Sequence, residues 1–336
     1  FRGNAKLLAE DGYFTDFISN GVSTELCFVA FCAFTLIIIF AGVQNGIERV
    51  SKIMMPILIV LSVIIAVYSV TRPGALAGVK YFLVPNVKNF SWMTVVSAMG
   101  QMFYSLSIAM GILITFGSYM KKDTAIEDST RNVEIFDTGI AIMAGLMIIP
   151  AVFAFSGGDP DTLQAGPSLM FITIPKVFQN MGFGTVIGIV FFLLVLFAAV
   201  TSSIALTESA VSTFEDELGW GRKKATVLVG VIMLALGSLS SLGYGPLAGI
   251  KIIGMQFLDL FDFLTNSVMM PIAALLTSLF VSRVVGIDKI EAEIIHGEST
   301  FRRKKVFVVM IKYLCPVFAI IILLSSVANA LGWIKM

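Results

Sequence analysis

The chain has 336 residues, of which 57% are hydrophobic and 13% charged, and its formal net charge is +1. Soluble domains carry about 25% charged residues, so the composition excludes an ordinary water-soluble fold, and the near-neutral balance excludes a nucleic-acid footprint. The expected class is an all-α polytopic membrane protein, bounded by the lipid bilayer.

Eight apolar stretches reach the length of about 20 residues that a bilayer requires. They lie near residues 23-43, 53-71, 93-119, 134-155, 183-210, 225-242, 257-282 and 306-330. Residues 1-22 read as an extracellular loop, and residues 23-336 as one transmembrane transporter domain. Between the fourth and fifth spans, the segment from Gly157 to Gly182 starts polar and turns amphipathic around Ser168 to Asn180, which predicts an outer loop containing a short helix. Pro56, Pro150, Pro271 and Pro316 fall inside or at the start of spans, so kinks are expected there.

Orientation follows from lysine and arginine. With residues 1-22 outside, the inner loops hold fourteen of these residues, including Arg49, Lys121, Arg131, Arg222, Arg302 and Lys305. The outer segments hold eight, including Arg2, Lys6, Arg72, Lys176 and Lys335, and Lys312 in the last span completes the 23. Nothing near Phe1 resembles a signal peptide, and the chain is expected to begin mid-protein. Cys27, Cys32 and Cys315 form no metal-ligand spacing and read as small packing or lipid-facing residues. The single histidine, His296, reads as a solvated residue of a charged loop.

Three polar constellations lie within the spans. In the third, Gln101, Ser105 and Ser107 sit mid-depth, followed by Gly111. Helix-weakening residues at that depth are tolerated chiefly where the backbone faces protein or lines a cavity. Either the serines bond back to the preceding turn of an unbroken helix, or the helix unwinds at residues 105-111. The second option exposes amide and carbonyl ends that suit an anionic substrate group and a coupling ion. In the fourth span, Asp137 lies one turn in, where a carboxylate costs a few kcal/mol unless a cation or a proton neutralises it. The alternative is an interfacial aspartate reaching water together with Glu134. In the fifth span, Ala198, Thr201 and Ser202 share one helical face and set two hydroxyls beside a carbonyl, a hard-oxygen set that suits sodium. Ala198, Ser202 and Ala205 equally describe a small-residue packing face.

The runs GQMFYSLSIAMGILITFGSYMKKD, IFDTGIAIMAGLMIIPAVFAFS, FITIPKVF and LLVLFAAVTSSIALTESAVSTFEDEL, with the loop NGIERVSKIMMP, resemble the neurotransmitter:sodium symporter family, bacterial branch. The resemblance covers nearly the whole chain, from the family's fourth helix to its eleventh. It implies eight transmembrane helices of a LeuT-type transporter (5+5 inverted repeat), incomplete at the N-terminus because the first three helices are missing. By resemblance, Ser105 and Asp137 belong to the first sodium site, and Ala198, Thr201 and Ser202 to the second. Substrate contacts fall to Tyr104, Ser105, Ser107, Met110, Ser202 and Leu206. Asp262 and Asp216 correspond to outer and inner gate residues, Tyr119 to a supporting tyrosine of the inner gate, and Gln101 to part of the chloride site.

The implied activity is sodium-coupled import of an amino acid, hydrophobic or aromatic, by alternating access, in a multi-pass protein of the cell's inner (plasma) membrane. The partners are Na+, the amino acid, the bilayer and the missing N-terminal helices. The fixed carboxylate of Asp137 argues for chloride-independent transport. Ala109 departs from the family, which usually has glycine there, so its methyl narrows the pocket or stiffens the break. Other classes fit the sequence less well. A channel needs a polar lining along one face, an intramembrane enzyme needs a catalytic set that the sequence lacks, and an inactive fragment of such a transporter is the remaining option.

Overall fold

The computed structural model describes residues 7, 9–158, 166–180, 182–297, 300–331 and 333. Arg2, Lys6 and Lys335, assigned above to the outer side, and the middle of the Gly157 to Gly182 loop lie outside these residues. The described residues are almost wholly helical, with one isolated β-bridge between Ile252 and Met255.

In chain order the helices are α1 (Asp11–Ser19), α2 (Gly21–Phe40), α3 (Val43–Val70), α4 (Ala75–Leu83), α5 (Trp92–Ser105) and α6 (Ile112–Ser118). They continue with α7 (Ile126–Ser156), α8 (Leu169–Gln179), α9 (Gly184–Leu218), α10 (Arg222–Leu242), α11 (Phe257–Val285), α12 (Ile287–Gly297) and α13 (Lys304–Ala330). Seven of these, α2, α3, α7, α9, α10, α11 and α13, are long and apolar enough to cross a bilayer. The eighth apolar stretch, 93-119, is divided between α5 and α6.

Helix ends follow local chemistry rather than hydropathy. The Asn20 side chain accepts the Ser23 N–H at 3.2 Å and caps α2, and Ser91 and Thr94 form a capping box at α5. α7 starts at Ile126, upstream of the apolar boundary near 134, and Glu127 and Asp128 in its first turn complement the positive end of the helix dipole. α9 likewise runs on to Leu218, past the apolar limit near 210, until Gly219 turns the chain at φ 61°. His296 lies on α12, not in a loop, and is exposed. The kinks expected at prolines take a definite form at two of the four positions. Wide π turns occupy Phe263–Met269 just before Pro271 and Met310–Leu314 just before Pro316. Proline supplies no N–H to the carbonyl one turn back, and a widened turn rearranges the pairing around the gap.

The chain divides into two compact units, Phe1–Val87 with Thr138–Lys251, and Lys88–Asp137 with Ile252–Met336. In the first unit α9 packs against α2, α3 and α10, over a core that includes Ile65, Ala151, Val177 and Phe191. Phe178 meets Phe191 edge to face at 5.4 Å, the arrangement aromatic quadrupoles favour. In the second unit α11 packs against α13, and Phe103, Met270 and Ile322 form a small core. Outward-facing apolar side chains such as Val22, Val60 and Leu236 are exposed, as lipid-facing positions are.

Candidate functional site

In the second unit the helix stops after Ser105 and resumes at Ile112. Leu106 N–H still reaches the Met102 carbonyl at 3.0 Å, and the helix then closes in a Schellman-type end, with Ser107 N–H bonding the Tyr104 carbonyl at 3.1 Å and Ile108 N–H the Phe103 carbonyl at 2.9 Å. Three residues then adopt the left-handed region, Ser107 (φ 54°), Ala109 (φ 63°) and Gly111 (φ 80°). Glycine does so freely, whereas each L-residue costs about 1–2 kcal/mol. Ile108 and Met110 pack against Phe103, Met270 and Ile322, and this packing holds the strained segment in place.

The break sets the Ser105 hydroxyl against Asp137. Ser105 Oγ donates to Asp137 Oδ1 at 2.6 Å, within the range for a hydroxyl bound to a carboxylate. Glu134, three residues before Asp137, is engaged elsewhere, accepting from Arg303 Nη1 at 2.8 Å. Tyr104 (54% exposed) and Gln101 on α5 are open at their surfaces, and Ser107 is half-buried. A carboxylate and a hydroxyl are hard-oxygen donors, the kind of atoms a small monovalent cation takes.

The α9 stretch lies in the first unit and stays helical. Thr201 Oγ1 donates to the carbonyls of Phe197 and Ala198, both at 3.0 Å, so its oxygen sits beside the Ala198 carbonyl. Ser202 and Leu206, one turn apart, are exposed on their face of the helix, Leu206 by 49%. On the neighbouring face Ser203 shares a 3.0 Å hydrogen bond with Thr35 of α2.

Of the residues assigned to gates, Asp262 ends the first turns of α11 and accepts from Asn266 Nδ2 at 2.6 Å. Asp216 is exposed near the end of α9. Tyr119 follows α6, with its ring edge-on to Phe116 at 6.1 Å.

Two polar constellations escape the sequence reading. Glu208, in the last third of α9, is 0% exposed and is gripped by Arg222, with Nη1 to Oε1 at 3.0 Å and Nη2 to Oε2 at 2.5 Å. Arg222 Nε also donates to the Ile39 carbonyl at 3.0 Å, so one guanidinium joins α2, α9 and α10. Glu25 of α2 accepts from Ser238 at 2.5 Å and from Ser241, both on α10. The signal was present in each case, since an acidic residue inside an apolar run needs a partner. The partner depends on how helices pair, which periodicity does not specify.

A multi-pass membrane protein with an interrupted helix that presents a carboxylate and a hydroxyl belongs with ion-coupled carriers. The chain belongs to the Sodium:neurotransmitter symporter family, whose profile matches residues 15–333. It is 34% identical to the sodium-dependent transporter YhdH of Bacillus subtilis over 315 residues, covering 94% of this chain and 69% of YhdH. It is 32% identical to a sodium-dependent transporter of Haemophilus influenzae over 292 residues, covering 86% of this chain and 62% of that protein. Among solved structures it is similar to MhsT in complex with L-phenylalanine, with a TM-score of 0.82, 33% identity and coverage of 96% of this chain and 74% of that one. The fold is therefore LeuT-type.

Proposed function

We propose that this chain serves sodium-coupled import of an amino acid across the plasma membrane, by alternating access and without chloride. The observation that most supports this is the 2.6 Å bond between Ser105 and Asp137 at the helix break. A carboxylate within the membrane is stabilised when a cation sits beside it, and its fixed charge does the work that a bound anion would otherwise do. Ser105 and Asp137 contribute ligands to one sodium ion, and Ala198, Thr201 and Ser202 to a second.

The substrate's carboxylate is held at the freed amides of the break, with Ser105 and Ser107 nearby, and its side chain meets Tyr104 and Met110 of the same unit. These contacts suit a hydrophobic or aromatic amino acid, in keeping with the phenylalanine bound by MhsT. Sodium binding stabilises the closed state whose gates open to one side at a time, and the inward sodium gradient drives the cycle. Asp262, Asp216 and Tyr119 act in closing the two gates, and Gln101 keeps the place of a chloride ligand without needing the ion.

The test is uptake of radiolabelled phenylalanine into proteoliposomes under an inward sodium gradient. Saturable uptake that vanishes when choline replaces sodium and persists when gluconate replaces chloride is the expected result. Uptake that stops without chloride contradicts the role given to Asp137. Uptake indifferent to sodium contradicts the whole reading.

A further inference from the structure

At the opposite end of α7's polar extension from Asp137, a second carboxylate does something different. Glu127, in the first turn of α7, has a side chain only 11% exposed. It accepts the backbone N–H of Arg302 at 2.9 Å and of Arg303 at 3.1 Å, the two residues that lead into α13. Arg303 Nη1 then reaches Glu134 at 2.8 Å, and Lys304 Nζ reaches Glu291 of α12 at 2.5 Å. The end of α12 closes the set, because a Cβ built on Gly297 would lie 2.5 Å from the Thr124 carbonyl oxygen.

The contacts are unequal. The Arg303–Glu134 pair is about half exposed on both sides (48% and 47%), and such pairs contribute little. Glu127 is mostly shielded and binds main chain, so its bonds are the stronger ones and cannot be relaxed by a side-chain rotation on the other partner. From Glu127 to Asp137 is ten residues, about 15 Å of continuous helix. A helix that long moves as a rod, and Asp137 must arrive within hydrogen-bond reach of Ser105.

We propose that Glu127 is a positioning residue: by fastening α7 to the start of α13 it holds Asp137 at Ser105 and so sets the affinity of that pair for sodium. This rests on the reading that Ser105 and Asp137 hold the ion. All the residues involved belong to the second unit.

The experiment compares the full chain with its Glu127→Gln variant in two readouts: amide hydrogen exchange at Arg302 and Arg303 without sodium, and titration with ²²Na⁺ alone. The expected result is exchange faster by about tenfold or more at the two amides, and a half-saturating sodium concentration raised roughly three- to tenfold. Maximal binding stays unchanged, and the melting temperature falls only slightly. Gly297→Ala, which forces a small shift of α12 away from Thr124, is expected to raise half-saturation about twofold. Unchanged exchange in Glu127→Gln overturns the proposal, as does faster exchange with unchanged sodium half-saturation. Loss of maximal binding together with melting temperature in Glu127→Gln, with no shift in Gly297→Ala, overturns it in favour of a structural role. Wild-type chain that binds no sodium sinks the ion reading itself, whereas normal wild-type binding indifferent to both substitutions sinks only the positioning role.

Discussion

In the second unit the stretch from Ser105 to Gly111 leaves the helix, whereas in the first unit the stretch from Ala198 to Leu206 keeps it. The break releases main-chain groups and stores its cost locally, in the left-handed backbones of Ser107 and Ala109. The unbroken stretch offers side-chain oxygens on a face whose main chain is fully paired, and Thr201 needs only to turn its hydroxyl. Its support is remote from that face: the buried Glu208–Arg222 pair below it and the Thr35–Ser203 bond beside it. One region is therefore sensitive to backbone freedom, and the other to the loss of single polar atoms or of the scaffold behind them.

Breaking that scaffold should give the largest effect. Arg222→Met takes the guanidinium from a fully buried carboxylate, and such removals cost about 3–5 kcal/mol. The expected outcome is a clear fall in melting temperature, with Arg222→Met/Glu208→Leu recovering a good part of it in the same thermal assay. Next comes Asp137→Ala, which deletes the only charged group proposed at the break. Sodium half-saturation, read by ²²Na⁺ binding, should rise at least a hundredfold, the equivalent of about 3 kcal/mol. Thr201→Ala removes one neutral oxygen from an intact helix, so the expected rise is roughly tenfold, about 1–1.5 kcal/mol. The smallest effect is expected from Ala109→Gly. Relief of left-handed strain, partly offset by glycine's extra freedom in the unfolded chain, should stabilise the protein by about 0.5–1 kcal/mol, read as a small rise in melting temperature. A fall in melting temperature for Ala109→Gly would mean that the methyl packs usefully and that the break is not strained there.

The fold class and the helical character were legible because apolar runs of bilayer length have few other solutions. The serines and glycine at mid-depth in the third span left a broken and an unbroken helix both open, and the chain stops its helix after Ser105. That Ser107 and Ala109 take left-handed conformations was not legible, because neither residue type prefers them. The polar overhangs of α7 and α9 were invisible to hydropathy, since helical pairing continues after the bilayer ends. This hid Glu127 from view. Glu208 and Arg222 lie on either side of the turn at Gly219, but without the angle between α9 and α10 no spacing rule joins them. The assignment of Asp137 and Thr201 to ions came from resemblance, and the hydrogen bonds of the structure give each a local geometry to be tested.

The central claim is that Ser105 and Asp137 bind one ion together, and a double-mutant cycle in ²²Na⁺ affinity tests it most directly. Ser105→Ala, Asp137→Ala and the double variant are measured against the wild-type chain. Two ligands of one ion should be strongly non-additive, with a coupling of about 1 kcal/mol or more. Effects that add to within about 0.5 kcal/mol would show that the two oxygens, although hydrogen-bonded to each other, serve no common cation.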